Sequence, residues 1–419
     1  MVYSCNGEEN QLIELYQEKM DCCGCGSCEQ ICPKQAIKME EDENGFVFPV
    51  VCQDLCVECG ECKKVCGYQN YTPAKMPDAV YAIANADVDK LKHSTSGGAF
   101  VALATTVIKD GGVVFGSTME KENDVLVVRH IKIDTLSELK RLQGSKYVQS
   151  EIGDAYIAVK KELILGKEVL FSGTPCQIAG LNAFLVRQYE NLYTVDIICH
   201  GVPSLRMFQD YISVLEEKIG AEINKYDFRT KDVGWGLEGR YFYKRGAAEN
   251  SKRENSDLSS YYSMFLNGET YRENCYTCKF ANIYRLADIT IGDYWGIEKE
   301  QPEALTYNGG ILHEEKGISC ILINTEKGGL LFKKSNKNLM VVKSTVDMVR
   351  KYNGQLNAPS HIGRHREEIF SIYRDGGYPK VESWFWKNIG LKKYYYIIKT
   401  LVPRNIKKAI KRRTEVIFG

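Results

Sequence analysis

Two cysteine runs of one spacing constrain this chain more than any other feature. Cys22, Cys25, Cys28 and Cys32 follow C-x2-C-x2-C-x3-C, and Pro33 closes the run. Cys56, Cys59, Cys62 and Cys66 repeat the spacing, with Gly67 where the first run has proline. Soft thiolates at such intervals suit the iron corners of a cubane 4Fe–4S cluster. In doubled runs the fourth cysteine of each serves the other cluster. The expected sets are Cys22, Cys25, Cys28 and Cys66 for one cluster, and Cys56, Cys59, Cys62 and Cys32 for the second. Gly24 and Gly26 let the backbone wrap closely and leave amides free to point at sulfur.

The doubled run resembles the bacterial-type dicluster ferredoxin. Ala36 to Met39 and Phe46 to Val50 flank Asn44-Gly45, a strong hairpin signal. A zinc ribbon or a disulfide scaffold also uses cysteine, but eight cysteines in this doubled spacing favour clusters. A chain built this way is expected to move single electrons.

At 419 residues there is room for two or three domains. No apolar run reaches the length of a membrane span, and the N-terminus lacks a basic-then-apolar signal segment. The sixteen cysteines therefore read as cytosolic thiolates rather than secreted disulfides, and a cytoplasmic location is expected. Cys5, Cys23 and Cys52 fall outside both runs and read as free thiols.

Charge is uneven. Residues 1–70 carry 5 basic and 13 acidic side chains, whereas residues 384–419 carry 10 basic and 1 acidic. The latter segment mixes Trp384, Phe385, Trp386, Tyr394, Tyr395 and Tyr396 with Lys407, Lys408, Lys411, Arg412 and Arg413. That mixture suits peripheral contact with the anionic inner face of a membrane, or a helix docked on the body. Nothing else in the chain supports nucleic-acid binding.

Tyr71 to Asp78, with Pro73 and Pro77, reads as a linker. Beyond it short strands and helices alternate. Strands are expected at 79–84, 113–117, 125–131, 168–171, 192–198, 318–324 and 339–342. Helices are expected at 98–109, 152–165 and 175–185, with another opening at Pro203. The expected fold class is α+β / α/β. A small dicluster module spans 1–75, an α/β core 76–355, and a basic helical tail 356–419.

Six segments of the core carry a second resemblance. They are Ser96–Gly98, Gly144–Ser150, Phe171–Gln177, Asp196–Pro203, Cys275–Cys278 and Asp288–Gly296, in that order. Together they resemble the coenzyme F420 hydrogenase/dehydrogenase beta-subunit family over roughly residues 78–350. A ferredoxin module at the front is a familiar arrangement there. The resemblance implies FAD and iron–sulfur clusters, and electron exchange with organic substrates such as a deazaflavin or chlorophyll precursors. Some bacterial members sit with exopolysaccharide genes.

Cys176, Cys199, Cys275 and Cys278 each lie in one of these segments. Cys176 stands at an expected helix start, where the helix dipole favours a thiolate. Cys199 ends an expected strand, and parallel strand ends share one edge, where the two can meet. Four thiolates there can hold a third 4Fe–4S cluster, as the resemblance also implies. The alternatives are buried structural cysteines, or a redox disulfide between Cys275 and Cys278. Cys320 lies in an apolar strand and reads as core.

No G-x-G-x-x-G occurs, so a Rossmann fingerprint is absent. The candidates for the FAD implied by the resemblance are Ser96, Gly97 and Gly98 before a helix, Ser145, Lys146 and Tyr147 in a loop, and Gly173 with Thr174. Amides at a helix start suit a pyrophosphate, though an ordinary N-cap reads the same way. Lys146 suits a phosphate or a flavin carbonyl, or is simply solvated. His200 is a candidate proton donor to product, or a hydrogen-bond donor to sulfur, or structural. His361 and His365 lie four apart on an expected helical stretch, but no third ligand accompanies them. Asp293 and Trp295 are expected to shape the pocket.

The expected function is a ferredoxin-type, flavin-dependent oxidoreductase. It would exchange electrons with a partner such as ferredoxin and act on an organic substrate. The rival expectation is a non-catalytic electron-transfer subunit feeding a partner enzyme, one setting being polysaccharide biosynthesis.

Overall fold

The computed structural model describes residues 13–402. Cys5 and the basic cluster from Lys407 to Arg413 lie outside them. The first unit is a hairpin of β1 (Ile37–Glu41) and β2 (Val47–Val51), paired antiparallel around the expected turn. The turn is longer than a two-residue one. Asp42 spans it, its Oδ1 accepting from the amides of Asn44 and Phe46, both at 2.9 Å. Two short helices, Ser27–Ile31 and Glu61–Lys64, follow the two cysteine loops in matching fashion. Each is entered through a left-handed glycine, Gly26 at φ 73 and Gly60 at φ 74, which a side chain would strain.

Residues 71–77 carry no regular structure, as a linker should. The core then supplies β3 (Ala79–Asn85), β4 (Val113–Glu122), β5 (Val125–Ile133), β6 (Val169–Gly173) and β7 (Leu192–Ile197). A side sheet follows, made of β8 (Ile223–Asp227), β9 (Glu238–Arg245) and β10 (Ala248–Asn255). The chain returns to the main sheet with β11 (Ile289–Asp293), β12 (Ser319–Ile323) and β13 (Leu339–Ser344). The eight strands of that sheet run β13-β3-β12-β11-β7-β6-β4-β5. The central four, β4, β6, β7 and β11, are parallel, and the outer pairings are antiparallel.

Both faces of the parallel centre are covered, and β4 and β6 accordingly open on the apolar runs Val113–Phe115 and Val169–Phe171. Val114, Leu170 and Val195 face a layer containing the Ala99–Lys109 and Glu326–Ser335 helices. Val113, Phe115, Val169 and Phe171 face the Ala155–Ile164 and Pro175–Leu185 helices. Each such side chain, fully buried, stabilises the fold by about 1.5–3 kcal/mol. The antiparallel outer strands make the sheet mixed, so this is an α/β core on an α+β frame.

Local signals locate most of these elements. The helix expected from Pro203 begins instead at Leu205, because Ser204 is the cap and its Oγ accepts from the Met207 amide. The same hydroxyl donates to the Asn44 carbonyl at 3.0 Å, tying this helix to the hairpin. Phe46 and Phe48 of the hairpin are buried in one cluster with Phe208, Tyr211 and Phe370. The first unit is therefore packed into the rest of the molecule.

His361 and His365 do not share a helix. His361 lies in a loop, and His365 caps the Arg366–Ile389 helix, which kinks at Gly376-Gly377. That helix buries Phe370, Tyr378 and Phe385, so the expected tail begins inside the core. Trp384 donates to Glu368 at 2.8 Å. Only beyond it, around Lys392–Leu401, do Leu391, Tyr394, Tyr395 and Ile398 stand exposed. Among the described residues no helix is long and apolar enough to cross a membrane.

Candidate functional site

The first cysteine loop brings Cys22, Cys25, Cys28 and Cys66 within electrostatic reach of one another. Backbone amides point at these sulfurs: Gly24 at Cys22, Ser27 at Cys25, Glu29 at Cys28 and Gln69 at Cys66. In the second loop, Cys62 lies within reach of Cys32 and Cys56. There the Ala36 amide donates to Cys32 Sγ at 3.3 Å and the Glu58 amide to Cys56 Sγ at 3.4 Å. Cys59 is exposed. Burial pushes the Cys22, Cys28, Cys62 and Cys66 thiols up, and the backbone amides pull the other way, toward the charged form a cluster's thiolates need. Among the described residues no three His, Cys, Asp or Glu side chains are close enough to hold a single metal ion. A cube is gripped at four separate corners, and its thiolates stand further apart.

The core cysteines meet at the carboxyl ends of the parallel strands, where open α/β sheets place their ligands. Cys176 opens the Pro175–Leu185 helix just after β6, and Cys199 follows β7. Cys275 and Cys278 come from a 3-10 turn, Glu273–Thr277, and its C-cap. All four line one cavity of ≈ 330 Å³, within the range of cofactor sites. Cys199 feels the charges of Cys275, Cys176 and Cys278, and burial pushes its thiol well up. Burial likewise holds Cys275 up at about 12 and Cys278 at about 11. Iron would bind all four deprotonated, releasing those protons.

One ion pair fixes this arrangement. Arg285 Nη2 donates to Asp196 Oδ2 at 2.8 Å, with the two side chains 2% and 0% exposed. Its Nη1 donates to the Phe280 carbonyl at 2.9 Å. The end of β7, which presents Cys199, is thus clamped to the loop that presents Cys278.

The proposed flavin residues converge on the same cavity. Ser96, Gly98, Ser145, Tyr147, Gly173 and Thr174 line it. Lys146 lines it too, but its ammonium donates to the carbonyls of Ser117, Leu142 and Gln143, at 2.8–3.2 Å. Burial lowers its pKa to about 7. Lys146 therefore holds its own loop in shape. Gly97 packs behind the wall: its amide donates to Ser319 Oγ at 2.8 Å, and a Cβ there would stand 2.1 Å from the Ile83 carbonyl oxygen.

His200 lines the cavity near Asp293 and Arg229, and desolvation by the walls lowers its pKa. Asp293 and Trp295 line it as expected. Asp293 accepts from Arg229 at 2.9 Å and from Trp235 Nε1 at 3.1 Å, and Trp235 stacks on Trp295 at 4.6 Å.

Three residues here have roles that the sequence does not show. His130 stacks on Phe171 with its ring nitrogens on Ser150 Oγ and the Ser172 carbonyl, and burial drives its pKa to about 4. Cys23 stands between Cys25 and Cys176. Hydrogen bonding with its thiol draws the pKa values of both Cys25 and Cys176 down. Arg272, wholly buried, reaches from the Cys275 turn to the Cys22 loop. Thr174 Oγ1 also contacts Cys176 Sγ at 3.1 Å.

Residues 166–347 match the family model for the C-terminal part of the coenzyme F420 hydrogenase/dehydrogenase beta subunit. No curated protein matches the chain. A solved chain from the xenon-derivatised F420-reducing NiFe hydrogenase complex of Methanosarcina barkeri is similar at 15% identity and a TM-score of 0.43. The similarity covers 72% of this chain and 94% of that one. The cysteine-rich N-terminal unit and the first strands of the core fall outside the matched segment, which holds Cys176, Cys199, Cys275 and Cys278. Residues 166–347 are thus similar to the C-terminal part of the coenzyme F420 hydrogenase/dehydrogenase beta subunit.

Proposed function

We propose that this protein is an iron–sulfur flavoprotein oxidoreductase acting on an organic substrate. The observation that carries the reading is the convergence of Cys176, Cys199, Cys275 and Cys278 on one cavity, next to Cys25. Cys22, Cys25, Cys28 and Cys66 would hold one 4Fe–4S cluster, and Cys56, Cys59, Cys62 and Cys32 a second. The four core cysteines would hold a third. FAD would lie along Ser96, Gly98, Ser145, Tyr147, Gly173 and Thr174, with Gly97 and Lys146 supporting those walls from behind. Bound clusters supply one-electron carriage, and a flavin converts it to two-electron chemistry.

The chain's own residues do the rest. Cys59 is exposed among Leu55 and Val57, 47% and 57% exposed, so this end of the acidic first unit can meet a partner protein. Cys23 and the Pro175–Leu185 helix hold the first loop against the core. His200 stands at the cavity wall, where it would pass a proton to a reduced product; burial lowers its pKa, so its resting form there is the neutral imidazole.

The exposed Cys59 end also favours a second reading, an electron-transfer subunit serving a partner enzyme. Turnover of an organic substrate by the purified single chain separates the two. The primary test is iron and flavin content of protein purified without oxygen. About twelve irons and one FAD per chain fit the proposal, and Cys199→Ser should then lose about four irons. About eight irons without flavin would remove the core site's role.

A further inference from the structure

Arg272 is 0% exposed and heads the largest fully buried side chains among the described residues. Its environment is unusual for a buried cation. Nε donates to the Cys22 carbonyl at 2.9 Å, Nη1 reaches Gln149 Oε1 at 3.4 Å, and Nη2 has no partner among the described residues. The guanidinium lies over the rings of Phe48, at 4.0 Å, and Phe46, at 5.9 Å. No ion pair joins it to a carboxylate among the described residues. The other buried arginines solve the problem differently. Arg229 and Arg285 each face an aspartate, Asp293 and Asp196. Arg366 directs Nη1 to the Glu269 and Tyr271 carbonyls and the Tyr276 hydroxyl.

A buried cation that lacks both a counter-charge and a full set of acceptors is destabilising by several kcal/mol, and Arg272, unlike Arg366, keeps Nη2 without a partner among the described residues. The missing anion has an obvious place. Arg272 leads the turn that carries Cys275, whose amide donates to the Arg272 carbonyl at 3.0 Å. At its other end, Nη1 stands 3.0 Å from where a Cβ of Gly24 would be, between Cys22 and Cys25. The guanidinium so lies against the first cysteine loop while its backbone belongs to the core one. A 4Fe–4S cube with four thiolates is an anion in both working states, and more so when reduced.

We infer that Arg272 is the shared counter-charge of the cluster on Cys22, Cys25, Cys28 and Cys66 and of the cluster on Cys176, Cys199, Cys275 and Cys278, and that it holds both reduction potentials up. The inference rests on the three-cluster reading above. Net charge and hydrogen bonds to sulfur are what set such potentials. A cation beside the cube favours the reduced, more negative form. The charge of Arg272 acts on Cys22, Cys176 and Cys275, whereas Cys62 feels Cys32 and Cys56, so the cluster on Cys56, Cys59, Cys62 and Cys32 serves as an internal reference.

The test is a potentiometric titration of anaerobically purified holoprotein followed by electron paramagnetic resonance, with iron counted in the same samples. In Arg272→Gln the reduced-to-oxidised ratio of the first and core clusters at fixed potential should fall at least tenfold, a shift of about 59 mV for one electron. The reference cluster should not move, and Arg272→Lys should restore most of the shift. Unchanged potentials at full iron content overturn the inference. If Arg272→Gln does not fold, wild-type protein labelled with 15N-arginine decides. Nitrogen hyperfine coupling to the reduced first cluster supports the inference, and its absence overturns it. A wild type holding only about eight irons overturns the three-cluster reading, and with it the core half of the inference, whereas unchanged potentials with about twelve irons overturn the inference alone.

Discussion

Gly180 of the Pro175–Leu185 helix touches Cys25 of the first cysteine loop: a Cβ on Gly180 would stand 2.9 Å from the Cys25 sulfur. It would also meet Ser27 Oγ at 2.8 Å and the Tyr156 hydroxyl at 2.9 Å. Ser27 Oγ donates to the Gly180 carbonyl at 2.9 Å, so the approach is bonded as well as close. Cys176 lies one helical turn earlier, which brings the two thiol sets together across a single turn.

Gly180→Ala should therefore destabilise by about 1–3 kcal/mol, the usual penalty for overpacking. Iron bound at the first loop should fall with it. Gly329→Ala is the control. Its nearest neighbour would be Ile323 Cγ2 at 3.5 Å, an ordinary contact, and alanine suits a helix. Thermal unfolding and iron content of both variants check this. Equal behaviour of the two would mean that the close approach relaxes without consequence.

Removing one half of the Arg285–Asp196 pair should be severe. Arg285→Met leaves an unpaired buried carboxylate and is expected to lose about 3–5 kcal/mol in urea unfolding. Asp196 is already pushed up by burial, with Arg285 pulling against it. The double variant Arg285→Met/Asp196→Asn should recover part of the loss. A double variant no better than the single one contradicts the pairing.

His130 gives a pH dependence of defined sign. Its folded pKa of about 4 lies below the ordinary 6.5, so between those values the unfolded chain binds more protons. Stability should fall as pH drops from 6.5 toward 4, by about 3 kcal/mol at full size. His130→Gln should flatten that part of a stability-against-pH curve. A slope unchanged by the substitution would place the acid sensitivity elsewhere.

Truncation after Gly390 should weaken binding to anionic vesicles while leaving the melting temperature nearly unchanged. It removes the exposed Leu391, Tyr394, Tyr395 and Ile398 together with the Lys392–Leu401 helix, and spares the docked Trp384 and Phe385. Cosedimentation with vesicles measures this. Equal binding by both forms disposes of a membrane role for the segment.

Much of the candidate site is legible in the sequence where its cysteines are local. A C-x2-C-x2-C loop declares itself because its sulfurs are brought together by a few backbone turns. Pro175 after Thr174 likewise announces a helix start, and the capping box forms as that pattern requires. The supporting groups are different. Arg272 meets Cys22 across 250 residues of chain, and Ser27 meets Gly180 across 153. No local pattern encodes such a meeting. Lys146 is readable as a cation in a flexible loop, but not as one engaged by three carbonyls of its own neighbourhood.

The hairpin buried beside Phe208 and Phe370, the Ser204 bond to Asn44 and the Arg272 insertion have a joint consequence for motion. Tethered redox modules that swing between partners need a polar, loosely packed junction. This junction is apolar, threaded by a buried side chain and hydrogen-bonded at several points. Electron exchange across it would run at a fixed separation, with a rate indifferent to the viscosity of the solvent.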